Sequence, residues 1–192
     1  MTPIVLTLLR IVAIPFFIAA FFLDVSWGRI AAVIIFILAA ITDGLDGHLA
    51  RKQNKTTALG AFLDPVADKL MVTAALVMIT TDRIDLWITI PSIIIIGREI
   101  TISALREWMA KFGSSDSVSV LGISKLKTTI QIIAIIFLLY KDSIFGLPIS
   151  ILGIILLYIA MILTVWSMFI YLKTAWPIFR PDFKSKGEKN ES

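Results

Sequence analysis

The 192-residue chain has no cysteine and a single histidine, His48. The first absence excludes disulfide scaffolds, thiolate metal sites and a cysteine nucleophile. The second argues against His-rich zinc or iron centres and against a histidine pH switch. Charge is scarce too: 17% of residues are charged and 58% hydrophobic, where soluble domains run nearer a quarter and a half. The mean hydropathy of +0.91 points the same way. Internal repeats, low-complexity tracts and nucleic-acid motifs are also missing, so no nucleic-acid partner is expected. Lipid is the expected surrounding of most of this chain. Yet it carries fourteen carboxylates, and those inside apolar runs need a reason.

A hydrocarbon core about 30 Å thick takes roughly 20 helical residues to cross. Six runs qualify as spans: Ile4–Leu23, Ile30–Ile41 leading into Asp43-Gly44-Leu45-Asp46-Gly47, Leu59–Thr80, Leu86–Leu105, Thr128–Tyr140 and Leu147–Leu172. The expected fold is therefore all-α, a polytopic membrane protein built as a six-transmembrane-helix bundle. Residues 1–180 would form one catalytic domain, and 181–192 a polar, disordered tail. The first span is too long for a cleavable signal peptide, and more spans follow it. Lys and Arg orient the bundle. Twelve fall in the loops around 49–58 and 106–127 and in the tail from Lys173, against Arg29, Arg83 and Lys141 on the other side. Both termini are expected in the cytoplasm.

An Asp at the centre of a membrane helix costs about 2.5–3.5 kcal/mol, so four facing lipid at depth would cost roughly 10 kcal/mol. Asp43 comes about 18 Å of helix after Ile30, which sets the first pair towards the cytoplasmic side. Asp64 opens the next span near that same side. Asp43 and Asp46 are spaced i,i+3, and Asp64 and Asp68 i,i+4, so each pair projects from one side of its helix. Two antiparallel neighbours would bring four carboxylates together, and these cannot all stay ionised without cations. An all-oxygen cluster suits hard divalent ions, Mg²⁺ or Mn²⁺, two per site. The alternative is that these residues pair with Lys or Arg, or cap helices, as Asp64 before Pro65 would do well. Capping does not explain four acids at these spacings beside Gly44, Gly47 and Gly60, which leave room for a ligand against the backbone. His48, next to Gly47, reads as a polar boundary residue. Trp87, Trp108, Trp166 and Trp176 read as interfacial anchors.

The run from Asp43 to Arg51, followed by Gly60, Asp64 and Asp68, reads D-x2-D-G-x2-A-R-x8-G-x3-D-x3-D. It resembles the signature of the CDP-alcohol phosphotransferases at every fixed position. Within that family, Gly97 to Ala110 is similar to the fourth-helix segment of bacterial members that use glycerol 3-phosphate, and Lys125-Leu126-Lys127-Thr128-Thr129 to their next element. Pro3, Leu6, Thr7 and Arg10 extend the likeness over nearly the whole chain. It departs at Ile4, where a polar residue is usual, and at Ser124, where glycine is.

The resemblance implies a six-helix enzyme of the bacterial inner membrane, acting as a homodimer in phospholipid biosynthesis. CDP-diacylglycerol would donate its phosphatidyl group to sn-glycerol 3-phosphate, and CMP would leave. The metal ligands would be Asp43, Asp46, Asp64 and Asp68, with Asp68 as base. Gly47, Arg51 and Thr57 would hold the CDP-diacylglycerol. Arg98, Arg106, Lys125 and Lys127 would bind the acceptor's phosphate. Arg98 stands out because a cation inside a hydrophobic span needs a partner or a function; an ion pair with Glu99 is the competing explanation. Arg106 and Lys125 could equally be snorkelling charges. Other acceptors (inositol phosphate, serine, phosphatidylglycerol) remain open, as does a cation transporter using the Asp cluster as its ion site.

Overall fold

The computed structural model describes residues 3–25, 27–53, 58–111, 121–141 and 148–188, and within some helices only the backbone. Among these residues there are six helices and no strand: α1 (Pro3–Phe22), α2 (Gly28–Gln53), α3 (Ala58–Asp82), α4 (Leu86–Lys111), α5 (Leu121–Tyr140) and α6 (Ile149–Glu188). All are longer than an average globular helix. α1 packs against α2 and α3, and α6 against α4 and α5; α2 and α3 join the two groups by packing on α5 and α4. The seam holds Phe17, Phe36, Leu76, Ile79, Ile88, Ile95, Ile135 and Leu157, all almost fully buried.

The outside of the bundle is as apolar as its inside. Phe16, Leu38, Ile93, Ile162 and Phe169 are each more than half exposed, while Thr7, Arg10, Ser92, Arg98, Lys127, Gln131, Thr164 and Ser167 are buried. Soluble domains seldom expose apolar area on this scale. Two helical segments, Leu86–Met109 and Ile149–Lys173, are long and apolar enough to cross a membrane. Thr7–Phe22, Gly28–Thr42 and Leu126–Tyr140 are shorter apolar stretches.

One end of the bundle is fastened by charge. Asp82 at the end of α3 accepts from Arg29 of α2 at 2.5 Å and from Lys141, just past α5, at 3.1 Å. Arg83 donates to Ser150 of α6 at 3.3 Å, and Ser150 donates to the Lys141 carbonyl at 3.1 Å. Lys141 ends α5 with a φ of 64°, the left-handed conformation that closes many helices. Partial burial pushes the Asp82 carboxyl up, but hydrogen bonds and charge from Arg29 and Lys141 outweigh this and hold it below its ordinary value. Three residues then turn the chain into α4, with Asp85 as its cap: Oδ1 accepts from Trp87 N at 3.0 Å, which satisfies an orphan amide of the first turn. Gly28 opens α2 where a Cβ would lie 2.6 Å from the Leu23 carbonyl oxygen, so the entry from α1 admits no side chain.

Several boundaries differ from the sequence expectation. α2 runs on to Gln53 through Gly44 and Gly47, so the acidic motif lies within a helix and His48 is not at a helix end. α5 begins at Leu121 rather than Thr128, which puts Lys125 and Lys127 on a helix instead of a loop. α6 continues to Glu188, well into the segment expected as a disordered tail. Extending an existing helix adds a hydrogen bond for each non-proline residue fixed, and α6 continues past its apolar run despite Pro177, Pro181 and Gly187; residues 189–192 lie outside the described ones.

Candidate active site

Since α2 starts and α3 and α5 end at the Asp82 clamp, the end of α2 and the starts of α3 and α5 lie at the opposite pole. This pole carries the acidic motif. Asp43 and Asp46 stand on the last part of α2, and Asp64 and Asp68 on the first half of α3. Their side chains lie outside the described residues, as do those of Arg51 and Lys125; Gly47 is described only as part of the α2 backbone, and Thr57 lies outside altogether. Among the described residues no group of three or more acidic or histidine side chains gathers. A donor set of four carboxylates, in a chain without cysteine, nevertheless fits a hard divalent ion in its chemistry.

Directly beyond Asp68, α3, α4 and α5 enclose a cavity of about 220 Å³. Its wall contains Lys69 from α3, Arg98, Glu99, Ser103 and Arg106 from α4, and Lys127 from α5. Three of the four residues expected to bind an acceptor phosphate, Arg98, Arg106 and Lys127, therefore face one space. Glu99 organises two of them. Its Oε1 accepts from Arg98 Nη1 at 2.9 Å and from Lys127 Nζ at 2.6 Å. The Arg98 and Lys127 side chains are 7% and 6% exposed, so this is an ion triad shielded from solvent, where screening is weak. The pairing of Arg98 with Glu99, the competing explanation for that cation, is thus real, but it coexists with a place in the cavity wall.

α6 supplies the backing. Ser167 accepts a hydrogen bond from Arg98 Nη2, and Ser167 itself donates to the Thr164 carbonyl at 3.1 Å. The Arg98 Nε is buried without a partner among the described residues. Arg106 donates to the Tyr171 hydroxyl at 2.6 Å, with its guanidinium carbon 5.0 Å from the ring centroid. Arg106 is exposed as a residue, and the Tyr171 contacts fix its guanidinium at the cavity wall.

Sequence reasoning missed Lys69, Glu99, Ser103, Ser167 and Tyr171 as parts of this site. Lys69 hydrogen-bonds Ser103 across the α3–α4 interface, and Ser103 donates to the Glu99 carbonyl at 2.8 Å. A signal for Lys69 was present: the same rule that singled out Arg98, a cation inside an apolar span, applies to it. For the serines and the tyrosine no local signal exists, because their partners lie far away in sequence.

Among the described residues, four cations and one carboxylate line the cavity, a formal surplus of +3. Such a surplus of positive charge, at one pole of an apolar-surfaced helical bundle, is chemically suited to phosphate. A family model described as CDP-alcohol phosphatidyltransferase matches residues 1–166. The chain belongs to this family, and is a membrane-associated, all-helical member of it. It is 49% identical over 173 residues to the CDP-diacylglycerol–glycerol-3-phosphate 3-phosphatidyltransferases of Shigella flexneri serotype 5b (strain 8401), Shigella boydii serotype 4 (strain Sb227) and Escherichia coli (strain K12). In each case the match covers 90% of this chain and 93% of the relative.

Proposed function

We propose that this protein transfers the phosphatidyl group of CDP-diacylglycerol to sn-glycerol 3-phosphate, giving phosphatidylglycerophosphate and CMP. The observation that carries this reading is the cation-rich cavity lined by Lys69, Arg98, Arg106 and Lys127, taken with the activity named for the relatives. At about 220 Å³ the cavity is smaller than the roughly 300–1,000 Å³ of drug-sized sites, which favours a small polar acceptor over a nucleotide. A dianionic phosphate is well matched to it, and Arg98, Arg106, Lys127 and Lys125 are assigned to binding it. A zwitterionic acceptor such as serine would leave the cations poorly compensated.

Asp43, Asp46, Asp64 and Asp68 are assigned as ligands of divalent metal, on which the family generally depends; we take two Mg²⁺ or Mn²⁺ ions. Such ions supply charge neutralisation at the donor's pyrophosphate. Gly47 and Arg51, with Thr57, hold the CDP portion, and the acyl chains stay in the bilayer. Asp68 takes the proton from the acceptor hydroxyl. The freed oxygen bonds to the phosphorus that carries the lipid, and the bond from that phosphorus to the CMP oxygen breaks, CMP leaving with the electron pair. Lys69, which lines the cavity, directly follows Asp68 on α3, which supports a phosphate gripped close to the proposed base.

All six helices are read as spans, residues 1–180 forming the catalytic domain of an integral inner-membrane protein with termini and active site in the cytoplasm. The clamp supports this orientation: Arg29, Arg83 and Lys141, the three cations assigned to the outer face, gather at one end of the bundle. A homodimer is the expected assembly. The test is CMP release by the purified protein from CDP-diacylglycerol with Mg²⁺ or Mn²⁺ and a panel of acceptors. Glycerol 3-phosphate should support release, Asp68→Asn should lower turnover by about 10²–10⁴-fold, and Arg106→Ala should raise the KM for the acceptor. No release with any acceptor refutes the enzyme; release with inositol phosphate alone refutes the acceptor.

A further inference from the structure

α3 has two functional faces. Asp64 and Asp68 occupy one helical row, and Lys69 stands about 100° around the axis from Asp68. Its amine hydrogen-bonds Ser103 of α4, and both residues line the cavity that Arg98, Arg106 and Lys127 also line. The other cations there are already engaged. Arg98 and Lys127 share Glu99, and Arg106 is bonded to Tyr171. Lys69 differs: its hydrogen-bond partner among the described residues is a neutral hydroxyl, and it is partly buried. An ammonium has three donors, and a serine oxygen occupies one of them. The amine therefore brings further donors and its positive charge to the wall of a space lined by three other cations.

We propose that Lys69 is a direct ligand of the acceptor's phosphate monoester and the residue that sets the acceptor's distance from Asp68. This rests on the transferase reading above, and adds to it a specificity-determining residue contributed by the motif helix itself. Arg98, Arg106 and Lys127 come from α4 and α5 and can bind phosphate without fixing it relative to α3. Lys69 and Asp68 are consecutive on one rigid helix, so a phosphate held by Lys69 has its hydroxyl placed by the same backbone that carries the base. Ser103 serves as the rest position of the amine, holding it in the cavity when no phosphate is bound. An acceptor without a phosphate gains nothing from Lys69 and is discriminated against.

The test has a binding arm and a turnover arm. In the first, the stabilisation of the purified protein by inorganic phosphate is measured by thermal unfolding in detergent, which needs no turnover. In the second, KM is measured separately for both substrates. For Lys69→Gln, the loss of a hydrogen bond to a charged group predicts that the phosphate dissociation constant and the glycerol 3-phosphate KM rise together by about ten- to a hundredfold. The CDP-diacylglycerol KM should stay within about twofold, and Lys69→Arg should recover most of the phosphate affinity. Ser103→Ala, which keeps the charge, should fold normally and shift both constants only a few-fold; it stands in should Lys69→Gln not fold. The proposal is overturned if phosphate affinity is unchanged in Lys69→Gln, if both substrates' KM values rise alike, or if Lys69→Arg is no better than Lys69→Gln. A wild-type protein that binds phosphate through Lys69 but releases no CMP with glycerol 3-phosphate would refute the transferase reading alone.

Discussion

Glu99 is the point where stability and the acceptor cavity meet, and its removal has a calculable signature. At 2.6 Å and an effective dielectric of about 20, the attraction between Lys127 and Glu99 is about 6 kcal/mol. Desolvating the two ions offsets most of that gain, several kcal/mol apiece. The pair is thus worth little against apolar residues of equal size, but breaking it by removing one member should cost about 3–5 kcal/mol. Glu99→Gln leaves both Arg98 and Lys127 buried without an anion, and takes the full cost. Lys127→Met leaves Glu99 neutralised by Arg98 at 2.9 Å and removes a buried cation, so about 1 kcal/mol is expected. The double variant should lose less than the sum by about 1.5–3 kcal/mol. Each kcal/mol corresponds to about 2–4 °C in a chain of this size, so Glu99→Gln alone should lower the melting temperature by about 6–20 °C. Unfolding followed by tryptophan fluorescence in one detergent, for the wild type and three variants, measures the cycle. Additivity within about 0.5 kcal/mol would show that Glu99 and Lys127 do not share a buried contact and would refute the triad.

Two further predictions concern the remainder of the bundle. The Asp82 carboxyl lies below its ordinary value in the folded protein, so the clamp's stability is fully present above the unfolded carboxylate value of about 3.9 and is lost as pH falls through the lower folded value. Between pH 5 and 3, on a scale set by that value of about 3.9, the wild type should lose melting temperature more steeply than Asp82→Asn; parallel slopes would remove the clamp. The glycines should separate in sign. Gly28→Ala drives a Cβ to 2.6 Å and 2.9 Å from two backbone carbonyls and should destabilise by about 1–3 kcal/mol. Gly97→Ala meets nothing within 4 Å and should stabilise the middle of α4 by up to about 1 kcal/mol, so their melting temperatures should move in opposite directions.

The six helices were legible because each contains an apolar run that no turn chemistry interrupts. Their ends were less so. Lys127 was counted among loop charges because a lysine beside an apolar run ordinarily snorkels to water; here it is buried because Glu99, 28 positions away, accepts its hydrogen bond at 2.6 Å. Gly44 and Gly47 look like breakers in isolation, yet α2 carries them. The acidic motif was legible since i,i+3 and i,i+4 spacings act within a helix. The basic cavity was legible only as a list of cations. Which of them converge, and that Ser103, Ser167 and Tyr171 fix their directions, depends on α3, α4, α5 and α6 meeting, and such pairings of 34 to 69 positions leave no trace in local periodicity.

The contrast between the two poles bears on why the cavity's charges are there at all. At the clamp, Arg29 and Lys141 are partly exposed and surround a single carboxylate, an arrangement that joins helix ends at small expense. At the other pole Arg98 and Lys127 lie almost wholly buried around Glu99, where apolar residues of similar volume would hold the helices as well or better. Structure alone therefore accounts for the first cluster and not for the second. Glu99 balances only part of the charge it collects, and the surplus lines the cavity between α3, α4 and α5. An anion entering that space gains attraction that water would screen, and meets donors whose directions Ser103, Ser167 and Tyr171 have already fixed, so little ordering remains to oppose binding. The surplus is spread over three helices, α3, α4 and α5. On the transferase reading proposed above, its complement is the acceptor's phosphate dianion, which comes and goes with each reaction cycle.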